Sequence, residues 1–131
     1  MAFSDYLEDK VLKHVFANTA YTSPTTLYVA LFTVAPTDAG GGTEVTTSGS
    51  AYARQVMTFN VSGSNPTQAT NSGAVEFPTA TSNWGTIVAA AVFDAASGGN
   101  MLAWANLTAN KTISSGDVFR FPASNFTVTL A

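Results

Sequence analysis

The chain has no cysteine, a single histidine and very little charge: Asp, Glu, Lys and Arg make up 10% of its 131 residues. A typical soluble domain carries about 25%. Without cysteine there is no disulfide framework and no thiolate metal site. With His14 as the only imidazole, a Ser-His-Asp triad would have to use it, and no Gly-x-Ser-x-Gly elbow accompanies it. Basic residues are scarce too. Lys10, Lys13, Arg54, Lys111 and Arg120 are scattered and the net charge is −3, which excludes a phosphate-binding stripe and argues against nucleic acid as a partner. No apolar run approaches the length of a membrane-spanning helix. The acidic start, Met-Ala-Phe-Ser-Asp-Tyr-Leu-Glu-Asp, does not read as a signal peptide.

Acid chemistry is equally thin. Glu44, Glu76, Asp94 and Asp117 lie in or beside expected turns. A glycosidase needs two carboxylates paired in a cleft, and a calcium loop needs clustered Asp. Neither pattern is present. Gly40-Gly41-Gly42 is not followed by Lys-Ser/Thr and reads as a loop tip, not a phosphate cradle. Trp84 and Trp104 read as core or interface aromatics before sugar platforms. The chain is expected to be no enzyme and to need no cofactor.

What is present is sheet, turn and surface. The apolar fraction is an ordinary 46%, and the polar remainder is mostly Thr, Ser, Asn and Gly. Thr favours strands; Ser, Asn and Gly favour turns. Trp84 to Leu107 reads as two apolar strands joined by a Ser97-Gly98-Gly99-Asn100 turn, where glycine supplies the positive φ that tight hairpins need. Further strands are expected at 25–34, 52–61, 74–77 and 118–121, and at 126–130 with Phe126, Val128 and Leu130 inward. Residues 62–73, with Asn65-Pro66, read as a polar loop.

One helix is expected near the start. Ser4 suits the N-cap, Asp5, Glu8 and Asp9 suit the positive end of the helix dipole, and Lys10, Lys13 and His14 suit the other. Leu7, Val11, His14 and Val15 share a stripe, with His14 expected to pack or to meet a partner. The sum is a mainly β chain: a single-domain β-sandwich of Ig-like or jelly-roll type over 19–131, with a short N-terminal α-helix over 1–18.

Two constellations stand out. Arg54 sits mid-strand, and a half-buried guanidinium needs carboxylates or carbonyls around it; Glu44 and Asp94 are the expected partners in a structural ion pair. Phe3, Tyr6, Leu7, Val11 and Val15 give the N-terminal segment more apolar surface than a short helix needs, so they form the expected assembly interface.

The blocks Thr26-Leu-Tyr-Val-Ala-Leu-Phe-Thr33, Glu44-Val with Tyr52-Ala-Arg54, Phe77-Pro with Trp84-Gly, Phe93-Asp-Ala-Ala-Ser-Gly-Gly-Asn-Met-Leu-Ala-Trp104 and Gly116-Asp117 span nearly the whole chain. In that order they resemble a family of small tailed-bacteriophage virion proteins, commonly called phage tail fibre proteins. Capsid decoration, cement and head-fibre proteins are similar. The resemblance implies a structural protein of the virion with no catalytic residues. A long fibre needs heptads or repeats, and this chain has neither. The first expectation is therefore a capsid decoration or cement protein bound to the major capsid protein or another virion protein. It would act as a homo-oligomer, with a trimer favoured. The alternatives are a small tail or tail-fibre component with an adhesion or receptor-binding role, and a carbohydrate-binding module.

Overall fold

A computed structural model describes residues 2–64 and 66–130 of the chain; the side chain of Leu130 is outside the description, as is Asn65 of the expected loop. The backbone runs β1 (Ala2–Phe3), α1 (Asp5–Phe16), β2 (Tyr28–Val34), β3 (Thr43–Glu44), β4 (Gln55–Val56), β5 (Phe59–Ser62), β6 (Thr67–Asn71), β7 (Val75–Glu76), β8 (Gly85–Phe93), β9 (Met101–Ile113), β10 (Arg120–Phe121) and β11 (Thr127–Leu130). The fold is mainly β with antiparallel sheets and one short helix.

The β8–β9 hairpin is the spine. Alternation of Ile, Val and Ala along β8 puts apolar groups on both faces, as a strand covered on both sides requires. The main sheet has the order β1-β9-β8-β2-β3, with β4 also paired to β2. One smaller sheet runs β5-β6-β11 and another pairs β7 with β10. These smaller sheets share one hydrophobic core with a face of the main sheet. Val29, Leu31, Ile87 and Val92 meet Met57, Phe77, Trp84, Phe119, Phe121 and Phe126 there. The result is a sandwich-like layering. The other face of the main sheet carries a smaller cluster of Ala30, Phe32, Ala89, Ala91 and Met101, with Phe93 and Trp104 half-buried against it.

Three elements depart from the sequence expectations. The alternating stretch 52–61 is not one strand. It crosses between sheets at buried Met57, whose N–H donates to Leu27 O, so β4 pairs with β2 while β5 pairs with β6. The polar stretch expected as a loop contains β6, which sits between β5 and β11 and so has both edges hydrogen-bonded. Its last residue, Asn71, is buried and fully used: its amide donates to Gly73 O and Pro122 O, and its Oδ1 accepts from Phe126 N–H. Finally, β9 runs six residues past Leu107, to Ile113. It does so through a bulge. Ile87 pairs with Lys111 and Ala89 with Asn106, leaving Leu107–Asn110 without opposite numbers on β8.

Candidate assembly surface

Ser4 builds the start of α1. Its Oγ accepts from Leu7 N–H at 3.1 Å and donates to Met101 O at 2.5 Å, while its own N–H donates to Leu102 O at 2.8 Å. One residue thus caps the helix and fastens it to β9. Asp5 N–H adds a bond to Asp38 O at 2.8 Å. Asp5 and Glu8 lie in the first turn and Lys13 in the last, both favourable to the helix dipole. At the far end Asn18 adopts φ 50°, the left-handed conformation that asparagine tolerates. The chain then doubles back, with Thr19 N–H on Lys13 O.

The returning segment covers one side of the helix. Tyr21 meets the edge of Tyr6 with ring centroids 6.4 Å apart, and Tyr21 N–H donates to His14 Nδ1 at 3.0 Å. Burial raises the Tyr21 hydroxyl above its ordinary 10.0, with smaller contributions from Tyr6 and Asp94. His14 is therefore neither a core residue nor an apolar stripe member. It is an exposed clip that holds the return.

The opposite side of α1 is exposed among the described residues. No residue of the helix is buried, and Leu12, Val15 and Phe16 are 58%, 61% and 82% exposed. The expected interface set divides accordingly. Phe3 is paired into β1 opposite Ala103, and Tyr6 and Leu7 are half-buried against the body. Val11 and Val15 are exposed. Leu12 and Phe16, outside the expected set, complete the free face.

Arg54 is a fastener within the body of the fold. Its Nε and Nη2 take both oxygens of Glu44, at 2.9 and 2.8 Å. Its Nη1 donates to Ala95 O and Gly98 O in the hairpin turn, at 2.9 and 2.8 Å. The guanidinium lies 3.7 Å over the Phe93 ring, which stacks in turn on Phe32. Asp94 is not a partner of Arg54, which corrects the expectation. Its carboxylate faces back into its own turn, accepting from Asn100 N–H at 2.7 Å and Asn100 Nδ2 at 3.0 Å. The turn meets Arg54 through backbone carbonyls instead.

Tyr52 completes this network. Its hydroxyl donates to Glu44 Oε2 at 2.7 Å and accepts from Leu31 N–H at 3.0 Å. Burial pushes the hydroxyl far above its ordinary 10.0, and the bond to Glu44 adds to that. The folded chain keeps this proton where the unfolded chain loses it. Its contribution is complete below the unfolded value and declines as pH rises above it, by about 1.4 kcal/mol per pH unit. Tyr52→Phe leaves buried Leu31 N–H without an acceptor, an expected loss of about 1–3 kcal/mol at neutral pH. It should also flatten the alkaline decline in denaturant midpoints above about pH 10. An equally steep decline in the variant would contradict the assignment.

The model of the family described as Podophage GP4 fiber I protein gp80 matches residues 2–129 of this chain. The chain belongs to that family. No curated protein matches it. Membership in the gp80 family makes it a structural component of a bacteriophage virion.

In this gp80 family member both indole N–H groups are occupied. Trp84 donates to Ser50 O at 2.8 Å from within the core, and half-buried Trp104 donates to Asp38 Oδ1 at 2.8 Å. A groove of about 430 Å³ lies between the start of α1, the 38–42 loop and the hairpin turn. Its acidic lining, Asp5, Asp38 and Glu44, is already engaged in part with Trp104, Arg54 and Tyr52. Among the described residues no group of three His, Cys, Asp or Glu side chains is placed to hold a metal ion. A second groove, of about 390 Å³, lies under the β9 bulge.

Proposed function

We propose that this chain is a compact subunit of a podophage fibre, joined to its neighbours in the virion through the outer face of α1. The observation that carries the reading is that face. Leu12, Val15 and Phe16 stand exposed on the uncovered side of a helix none of whose residues is fully buried. A helix this short is marginal in water unless its apolar face is covered. The low charge of the chain points the same way, since a surface poor in charge is ill-suited to a dispersed monomer. The family description supports the fibre over capsid decoration. A decorating subunit would use the same docking element, so the place of attachment separates the two.

The test is the triple variant Leu12→Ser, Val15→Ser, Phe16→Ser. All three side chains are exposed, so the isolated chain should keep its stability. Burying one such side chain contributes about 1.5–3 kcal/mol. Loss of all three should therefore lower incorporation into particles by well over tenfold, on the order of 1.4 kcal/mol per decade. Particles assembled with labelled chain and imaged by electron microscopy give both amount and place. Normal incorporation of the variant overturns the docking role. Label spread over the head would make the chain a decoration protein.

A further inference from the structure

We infer that the groove under the β9 bulge receives the α1 face of a second copy of this chain, so that subunits join head to tail. This rests on the reading of α1 as the docking element and names what it docks into.

The groove lies beside the bulge. Leu107–Asn110 are passed over by the β8–β9 register, and Leu107, Thr108 and Ala109 line a hollow together with residues of the 119–127 segment. Leu107 and the edges of the core rings Phe119, Phe121 and Phe126 supply its apolar part, and Asn106, Thr108, Asn125 and Thr127 its polar part. At about 390 Å³ it falls within the size range of binding sites. The adjacent edge of β9 is also open. β1 pairs with β9 only at Ala103 and Trp104, and no other described strand takes that edge beyond them.

Charge selects the occupant. The lining carries two of the five cations of the chain, Lys111 and Arg120, and no acidic residue. Glu76 stands opposite Arg120 in the β7–β10 ladder, but neither Lys111 nor Arg120 makes an ion pair among the described residues. The free face of α1 has the opposite character. Glu8, Leu12 and Val15 fall at i, i+4 and i+7, with Phe16 beside them, so an acid heads an apolar ridge. Asp5 adds a second acid to that side, while Asp9 and Lys13 pair with each other at 3.0 Å. A ridge led by a carboxylate fits a hollow that carries two unpaired cations and no acid.

The two surfaces share no residue, so the contact joins different patches of the two copies and is heterologous. Such a contact closes into a ring where the rotation allows and extends where it does not.

The experiment uses two variants of the whole chain. One blocks the groove (Lys111→Glu with Arg120→Glu); the other blocks the ridge (Leu12→Ser, Val15→Ser, Phe16→Ser). Sedimentation equilibrium of the unaltered chain should show association that rises with concentration. Each variant alone should lose it. An equimolar mixture should regain it and stop at a dimer, because one good groove and one good ridge remain. Recovery in the mixture also shows that both variants are folded. Adding Glu8→Lys to the groove variant should restore self-association, and salt should weaken both contacts.

Other results overturn the inference. If the groove variant alone associates like the unaltered chain while the ridge variant does not, α1 docks elsewhere and only the proposed function stands. A mixture that remains monomeric, or an unaltered chain that never associates, also rejects the head-to-tail contact. If the ridge variant associates normally and enters particles normally, both readings fall.

Discussion

Arg54→Ala is expected to lower stability by about 3–5 kcal/mol, the usual consequence of removing one partner from a buried ion pair. The Arg54 side chain is 8% exposed, so it is not the screened surface pair that contributes little. Its loss leaves Glu44 with Tyr52 alone, strips two turn carbonyls of their donor, and uncovers the Phe93 ring. Three segments distant in sequence lose their common anchor at once. Arg54→Lys should recover only part, because an ammonium cannot fork onto a carboxylate and two carbonyls in one plane. Lys111→Ala is the exposed comparison, with an expected change within about 0.5 kcal/mol. Denaturant unfolding of the three variants measures this, and equal shifts for Arg54→Ala and Lys111→Ala would reject the anchor.

Phe77→Ala should be comparably severe, about 3–5 kcal/mol. Phe77 is 1% exposed and central to the aromatic core. Its ring stacks on Tyr52 at 6.0 Å and meets Trp84 and Phe119 edge-on at 6.4 and 5.9 Å. It therefore links the floor of the sandwich to the Tyr52–Glu44–Arg54 network, and its removal opens a cavity between them. A fall of more than about 10 °C in melting temperature is expected. Phe77→Leu should fall less, since it keeps more of the volume. Val61→Ala, at 72% exposure, is the surface control. A Phe77→Ala midpoint no lower than that of Val61→Ala would show that the core tolerates the loss.

Much of this architecture is legible in the residues themselves because the deciding physics is local. A serine ahead of an acidic turn marks the start of α1, and Ser4 does cap it. Gly98 and Gly99 take φ 62° and 70°, the conformations the hairpin turn demands. Arg54 lies just ahead of β4 and not mid-strand, but its buried guanidinium does need a counter-charge, and Glu44 supplies it.

The rest depends on what lies across space. β6 is a strand because β5 and β11 flank it, not because Thr-Gln-Ala-Thr-Asn is apolar. Met57 marks a change of sheet that alternation alone cannot reveal. Asp94 and Glu44 are both acids near strand ends, and only the folded turn shows that Asp94 is taken by Asn100. The side of α1 that stays free is decided by Tyr21, which covers the Tyr6 and His14 side and leaves Leu12 and Phe16 outward. The groove lies beside a bulge in which β9 carries more residues than β8 between two matched pairs.

The attachment of α1 also has a mechanical side. The helix is fixed to the body chiefly at its N-terminal end, by Ser4 on Met101 and Leu102, Asp5 on Asp38, and the two β1 pairs. A pull on the outer face of α1 is therefore divided between this joint, which leads into β9, and the return segment, which leads into β2. Tension directed along β9 loads its short row of bonds together, in shear. Tension directed across the strand opens them one after another, like a zip. A subunit tethered in this way holds best against forces aligned with its own central hairpin and releases most easily under a sideways tug.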